Sequence, residues 1–347
     1  MVSTRPRIQD IARVSGLSSA TVDRVLNSRP GVSAKAVDLV RDAIQKLAEN
    51  GPEERSDLGV YDIILPRNAG LSTEYLAAAF RYHADLCKVQ HRVTFVERLN
   101  PQSLCRALQA CAEQGTSGVA FQALEDPTVR DTVSQMANRN IPLVTVVSDL
   151  SSMGVSYVGL DNRAAGRTAG YLMGLLTRGA GPIAVLWGGH LYRAHDEREF
   201  GFRSALRTDF PNLEILDVTC TQDDTEEAYE RLSEVLKRDP KLAGVYCVGA
   251  GIIGAINALK RHAGGSSSFV IGHNLTANTR DFLLQRRMEV VIHQDMTAIA
   301  EKALQFLVSG ADKPRSLRGE VSISIVTREN ISNHLNLDML RDYMVKH

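Results

Sequence analysis

From Tyr61 to Asp295, short β-rich runs alternate with helical stretches, and this alternation constrains the fold more than any other feature of the 347-residue chain. "YDIILP" precedes a helical pattern from about Ser72 to Val89, and then comes "RVTFVER". A helix near 101–114 leads to "SGVAFQA", another near 127–139 to "PLVTVVS", and "VSYVGLD" follows. A second series starts with a helix over 162–177. It continues through "PIAVLWG", helix 195–208, "LEILDVT", helix 224–237, "LAGVYCVG", helix 251–262, "SFVIGHN", helix 276–286 and "EVVIHQD". Such alternation means βαβ units, hence parallel sheets with helices on both faces. Two series in one chain predict two doubly wound lobes with a cleft between them. The expected limits are about 60–160 plus 295–322 for the first lobe and 161–292 plus 323–340 for the second. A helix over 296–309 and a strand at "VSISIVT" are expected to cross between the lobes.

In open parallel sheets, ligands sit beyond the carboxyl ends of the strands. That rule selects Arg67 and Asn68, Gln122, Ser148 and Asp149, and Asp161 and Asn162. Further along it selects His190, Arg193 and Arg198, then His273 and Asn274, and lastly Gln294 with Asp295. Trp187 and Tyr192 lie near the edge of this set. Planar hydrogen-bonding groups around an apolar face suit hydroxyl-rich ligands such as sugars. Each member also has a plainer reading: Arg198 could pair with Glu197 or Glu199 at the surface, His273 could be a satisfied half-buried histidine, and Asp161-Asn162 could cap the next helix.

An enzyme finds no support. "WGGH" and "GAGIIGA" are Gly-rich but form neither G-x-G-x-x-G nor a P-loop. No H-E-x-x-H or G-x-S-x-G occurs, and no acid, base and nucleophile converge. The five cysteines include no C-x-x-C pair, so no zinc site, disulfide frame or cofactor is expected. No run approaches the roughly 20 apolar residues of a membrane span, so a cytoplasmic location is expected.

The first 49 residues differ from the rest. The chain carries 40 basic and 40 acidic residues. Residues 1–48 hold 8 of the basic residues but only 4 of the acidic ones, leaving 32 against 36 elsewhere. A basic head on a mildly acidic body suggests a polyanion partner for the head alone. In "IQDIARVSGLSSATVDRVLN", Ile8, Ile11, Ala12 and Val14 recur at helical spacing, and Gly16 permits a helix end. Ser18 stands where an N-cap belongs, before an apolar face of Val22, Val25 and Leu26. Ser33 caps a third helix whose stripe is Val37, Val40, Ile44 and Leu47. The pattern is that of a helix-turn-helix, with Ser19, Ala20, Asp23 and Arg24 facing outward on the second helix.

This head, with its D-I-A, S-G-L-S and T-V-x-R-V-L-N pieces and its third-helix V-S-x-x-x-x-x-x-V, resembles the DNA-binding head of the LacI/GalR family of bacterial transcriptional regulators. The resemblance extends through the rest of the chain to the family's ligand-binding core, which is built like periplasmic sugar-binding proteins. It implies that Ser19, Ala20 and Arg24 face base edges, while Ser18, Thr21, Asn27 and Ser33 hold phosphates. Position 23 departs from the family's small hydroxyl residue. Asp23 either accepts a hydrogen bond from cytosine N4 or pairs with Arg24 or Arg13. The linker departs too. Residues 50–59 lack the hinge-helix pattern N-R-x-A-x-x-L and read as a flexible acidic connection.

In the core, the resemblance gives Arg198 the place of an arginine that grips sugar hydroxyls, and Asn274 and Gln294 the places of further ligand contacts. His273 stands where an aromatic often stacks on the ring. "CVGAGIIGA" replaces the family's polar N-D pair, leaving backbone amides of Gly249 and Ala250. The implied function is a dimeric regulator whose affinity for double-stranded operator DNA is set by a small carbohydrate-like effector. The alternative is a small-molecule sensor whose head no longer binds specific DNA.

Overall fold

The computed structural model describes residues 8–26, 32–49, 59–151, 155–219, 224–249, 251–262, 268–309, 318–334, 340, 343 and 344. Backbone contacts divide the chain into two units, Met1–Leu58 and Gly59–His347.

In the first unit, helix α1 (Ile8–Ser15), helix α2 (Ser19–Leu26) and helix α3 (Ala34–Glu49) close on a small core of Ile11, Val22, Val40 and Ala43. Ala12, Leu17, Val25 and Ile44 pack against it. Gly16 takes φ 69°, so the chain reverses after two turns in a conformation that glycine adopts without a Cβ penalty. The turn closes with Leu17 N donating to Ala12 O at 3.2 Å. Val14 and Leu26, expected on apolar faces, are instead 40% and 43% exposed. An eight-residue helix offers only two turns, and here each buries a narrow stripe.

The second unit contains two sheets. The first series runs β1 (Tyr61–Pro66), α4 (Leu71–Leu86), β2 (His91–Val96), α5 (Pro101–Glu113), β3 (Gly118–Phe121), α6 (Pro127–Asn138), β4 (Leu143–Val146) and β5 (Ser156–Gly159). The second runs α7 (Asn162–Leu176), β6 (Pro182–Trp187), α8 (Arg193–Asp209), β7 (Glu214–Thr219), α9 (Thr225–Arg238), β8 (Gly244–Cys247), α10 (Ile252–His262), β9 (Phe269–His273), α11 (Ala277–Leu284) and β10 (Val290–His293). Helix α12 (Met296–Val308), strand β11 (Arg318–Glu320) and strand β12 (Ser324–Val326) follow. Sheet order is β11-β5-β4-β3-β1-β2 in the first lobe and β12-β10-β9-β8-β6-β7 in the second. The same winding thus occurs twice, all parallel except β12, which pairs antiparallel with β10.

Strands β1, β3, β4 and β5 are buried along their full length, as parallel strands covered on both faces must be. Asp62 is tolerated in β1 because Arg92 on neighbouring β2 binds it through two hydrogen bonds of 2.7 Å. After the second sheet the chain returns, and α12 packs on α4 and on β3, β4 and β5 of the first. Of the stretch 321–327 only Ser324–Val326 is a strand, and β11, not expected from the sequence, precedes it. Arg318-Gly319-Glu320 has no apolar alternation; its strand exists because β5 offers an open edge. Among the described residues no helix is long and apolar enough to cross a membrane.

Candidate functional site

In the head, Ser18 Oγ accepts from Thr21 N at 3.2 Å and lies 2.9 Å from Thr21 Oγ1, so it caps α2. Ser33 does the same for α3, accepting from Ala36 N at 3.2 Å. Ser19 and Ala20 form the first turn of α2, and Arg24 is exposed in its last. Asp23 is half-buried. Asn27 and the linker over 50–58 lie outside the described residues, as does Ala250.

In the core, a cavity of about 220 Å³ lies at the carboxyl ends of β1, β3, β4, β8 and β9. Asn68, Gln122, Arg198, Gly249, His273 and Asn274 all line it, drawn from segments up to two hundred residues apart. Three lining residues share an unusual backbone. Asn68 after β1, Val147 after β4 and Asn274 after β9 have φ of 54°, 65° and 65°. The left-handed turn lets a strand end abruptly at the rim of the cavity. Asparagine accepts that conformation readily; β-branched valine does not.

Arg198 is 3% exposed and held by a connected set of bonds. Its Nε donates to Asn162 Oδ1 at 2.7 Å and its Nη1 to Val248 O at 3.1 Å. Asn162 Nδ2 lies 3.1 Å from Tyr157 Oη and 3.2 Å from Val147 O. Tyr157 itself donates to Leu160 O at 2.8 Å. Asp161 caps α7 by accepting from Ala164 N, whereas Asn162 is 2% exposed and serves to orient Arg198. Two glycines permit this arrangement. A Cβ on Gly166 of α7 would lie 1.9 Å from Arg198 O, and one on Gly201 of α8 would lie 2.2 Å from Arg163 O. The backbones of α7 and α8 therefore touch, which brings Arg198 within reach of Asn162.

His273 is 3% exposed, and its Nε2 lies 2.8 Å from the hydroxyl of Tyr246. Burial, then the charges of Arg198 and His195, push its pKa well below the usual histidine value, so the ring is neutral. Burial likewise raises the pKa of Tyr246, which stacks on Phe202 with ring centroids 4.2 Å apart. Gln294 is fully buried and donates from Nε2 to Asn274 Oδ1 at 3.0 Å, so it orients the carboxamide of Asn274.

Residues 73–313 match the family described as periplasmic binding protein domain, and residues 7–48 match the bacterial regulatory proteins of the lacI family. The chain belongs to the periplasmic binding protein domain family and carries a lacI-family head. It is 25% identical over 321 residues to the HTH-type transcriptional repressor PurR of Actinobacillus pleuropneumoniae serotype 5b, covering 87% of this chain and 90% of that one. It is 25% identical over 290 residues to the HTH-type transcriptional regulator AglR of Rhizobium meliloti, covering 80% and 78%. In structure it is similar to an ABC transporter solute binding protein of Burkholderia graminis solved with D-arabinose (TM-score 0.74, 19% identity, 80% and 98% covered). It is also similar to one of Agrobacterium vitis bound with α-D-tagatopyranose (TM-score 0.71, 17% identity, 81% and 98% covered).

Against this lacI-type frame, nine of the fourteen candidates from the strand-end rule lie outside the cavity lining; Asp161 and Asn162 are placed above, and Asp295 caps α12 by accepting from Thr297 N at 2.8 Å. Ser148 is fully buried, and its Oγ accepts from Ala194 N at 3.3 Å. Asp149 binds Arg318 at 2.7 Å and Leu150 N at 2.8 Å. Arg193 pairs with Glu197 at 2.8 Å and reaches Ser151 Oγ at 2.7 Å. His190 faces solvent, 2.9 Å from Asp196 and edge-on to Trp187. Gln294 stands behind Asn274. These groups follow strands as expected, but local partners turn them away or place them behind the lining. Arg67 lies in a shallow depression with Glu97 and Arg98.

Sequence reasoning missed His195, Thr225, Thr276, Asn278 and Thr279, all on the lining. Helix periodicity carried no signal for them, because each faces the cleft from the first turns of a helix. Tyr192 was placed at the edge; it lines the cavity and also packs into the first lobe's core, although it follows a strand of the second. Among the described residues no group of three or more His, Cys, Asp or Glu could hold a metal ion.

Proposed function

We propose that this lacI-family protein is a cytoplasmic, homodimeric transcriptional repressor that binds a double-stranded operator through α2. Its operator affinity is set by a small carbohydrate-like effector in the cleft. The observation that carries the reading is the convergence of six strand-end and helix residues, Asn68, Gln122, Arg198, Gly249, His273 and Asn274, on one cavity in the second unit. Sugars need directed polar partners beside an apolar wall, and Leu76, Ile252 and Met296 supply the wall. The kinship with repressors, and the sugars held by structural neighbours of the same fold, support the same assignment.

In the head, exposed Arg24 is assigned to a base edge and Ser18 and Ser33 to phosphates; their hydroxyls also cap α2 and α3. Fluorescence anisotropy on DNA from upstream of its own gene tests both halves. Specific, salt-dependent binding that changes with a sugar, polyol or sugar acid is expected. Arg24→Ala should lose roughly 1–3 kcal/mol of discrimination against random DNA and keep its effector affinity. Binding that ignores sequence would sink the head assignment.

A further inference from the structure

The lining of the cavity holds no carboxylate among the described residues. The carboxylates at nearby strand and helix ends are committed elsewhere. Asp149 holds Arg318, Asp161 and Asp295 cap helices α7 and α12, Glu197 pairs with Arg193, and Glu199 pairs with Arg203. Amid the carboxamides and hydroxyls of the lining, one corner is weighted toward donors. Arg198 is a donor only, and Asn274 has its carboxamide oxygen occupied by Gln294 Nε2.

His273 adds a third donor, and Tyr246 decides it. The hydroxyl of Tyr246 is fully buried, and Nε2 of His273 is the acceptor within reach. If Nε2 carried the hydrogen, the phenol would have no acceptor and Nδ1 would be an unfilled acceptor too. With the phenol donating to Nε2, a single group remains to be satisfied, an N–H on Nδ1. Nδ1 is buried and has no hydrogen-bond partner among the described residues. Leaving a buried donor unpaired is costly, so a ligand acceptor is the natural complement.

The carboxamides and threonines of the lining can meet hydroxyls that donate as well as accept, but beside Arg198 and His273 a neutral hydroxyl brings a hydrogen that neither group can accept. A carboxylate is acceptor-only and matches both a guanidinium fork and an imidazole N–H. We propose that the effector is a sugar acid whose carboxylate binds between Arg198 and His273, with its hydroxyls against Asn68, Gln122 and Asn274. The proposal rests on the carbohydrate reading above and narrows it. Tyr246 is then a positioning residue, which selects an acceptor at Nδ1 without touching the ligand.

The test is isothermal titration of the full chain with matched pairs: D-gluconate and D-glucose, D-galactonate and D-galactose, D-xylonate and D-xylose. At least one acid should bind tenfold or more tightly than its neutral partner, and Arg198→Gln should erase that ratio. Tyr246→Phe keeps the ring stack, so it guards against a misfolded arginine variant. It should weaken the acid three- to tenfold and leave the neutral sugar unchanged. A neutral sugar that binds as tightly as its acid would overturn the proposal and leave the carbohydrate reading standing. If nothing in either series binds while operator binding persists, the carbohydrate reading falls, and this proposal with it.

Discussion

Val147 shows how a single position records the demands of a site. A β-branched residue at φ 65° stores strain of order 1–3 kcal/mol, and its carbonyl is held by Asn162 and Tyr157, the groups that orient Arg198. Val147→Asn, which tolerates the left-handed region, should raise unfolding stability by about 1 kcal/mol in a denaturant titration. The thiols divide by burial in the same way. Burial pushes Cys111 and Cys247 up to about 12, while Cys87 is exposed, its thiol raised by partial desolvation and by the charge of Glu301. At neutral pH a maleimide should label Cys87 in the native protein and reach Cys111 and Cys247 only on unfolding, as mass spectrometry of tryptic peptides can check. Both thiols stay protonated in the fold while the unfolded chain ionises from about pH 9, so stability should fall as pH rises from about 9 to about 12.

Helices α7 and α8 are the element pair on which the cleft depends most. Their contact is backbone on backbone at Gly166 and Gly201, and it sets the distance from Asn162 to Arg198. Gly166→Ala would place a methyl 1.9 Å from a carbonyl oxygen that cannot move without its helix. Overpacking of this kind costs about 1–3 kcal/mol or more. The variant should melt earlier and lose effector affinity together, whereas Ala at Gly115 or Gly189, where a Cβ would meet nothing within 4 Å, would strain only a turn. Equal melting of Gly166→Ala and wild type would show that the helices stand further apart.

The proposed effector can act on operator affinity only if it binds one closure state of the lobes better than another. Coupling is reciprocal, so a variant blind to effector should bind operator equally with and without it. Arg198→Ala is expected to behave this way, losing about 1–3 kcal/mol or more of effector affinity while operator affinity stays at the effector-free level. Anisotropy titrations of both proteins across the sugar and sugar-acid panel measure it. A wild-type response in the variant would return Arg198 to a purely structural role inside its hydrogen-bond set.

The sequence by itself determined the elements and their winding. Strand runs such as "YDIILP" and "LAGVYCVG" are too apolar for anything but doubly covered parallel strands, and Gly16 with Ser18 writes the head's turn in local chemistry. It also named five of the cavity's polar residues and Gly249, because parallel strands present their carboxyl ends to one crevice. What it could not decide was which strand-end side chains turn inward. Ser148, Asp149 and Arg193 meet partners from distant segments before they reach the cleft, and Arg318, which holds Asp149, is 169 residues away; His190 is turned aside by Asp196, six residues on. The lining residues from helix starts, such as His195 and Thr225, depend on how steeply each helix leaves its sheet. β11 depends on an open edge of β5. Those choices were made by tertiary packing, since hydrogen-bond partners and close approach between remote segments exist only once the two sheets have formed.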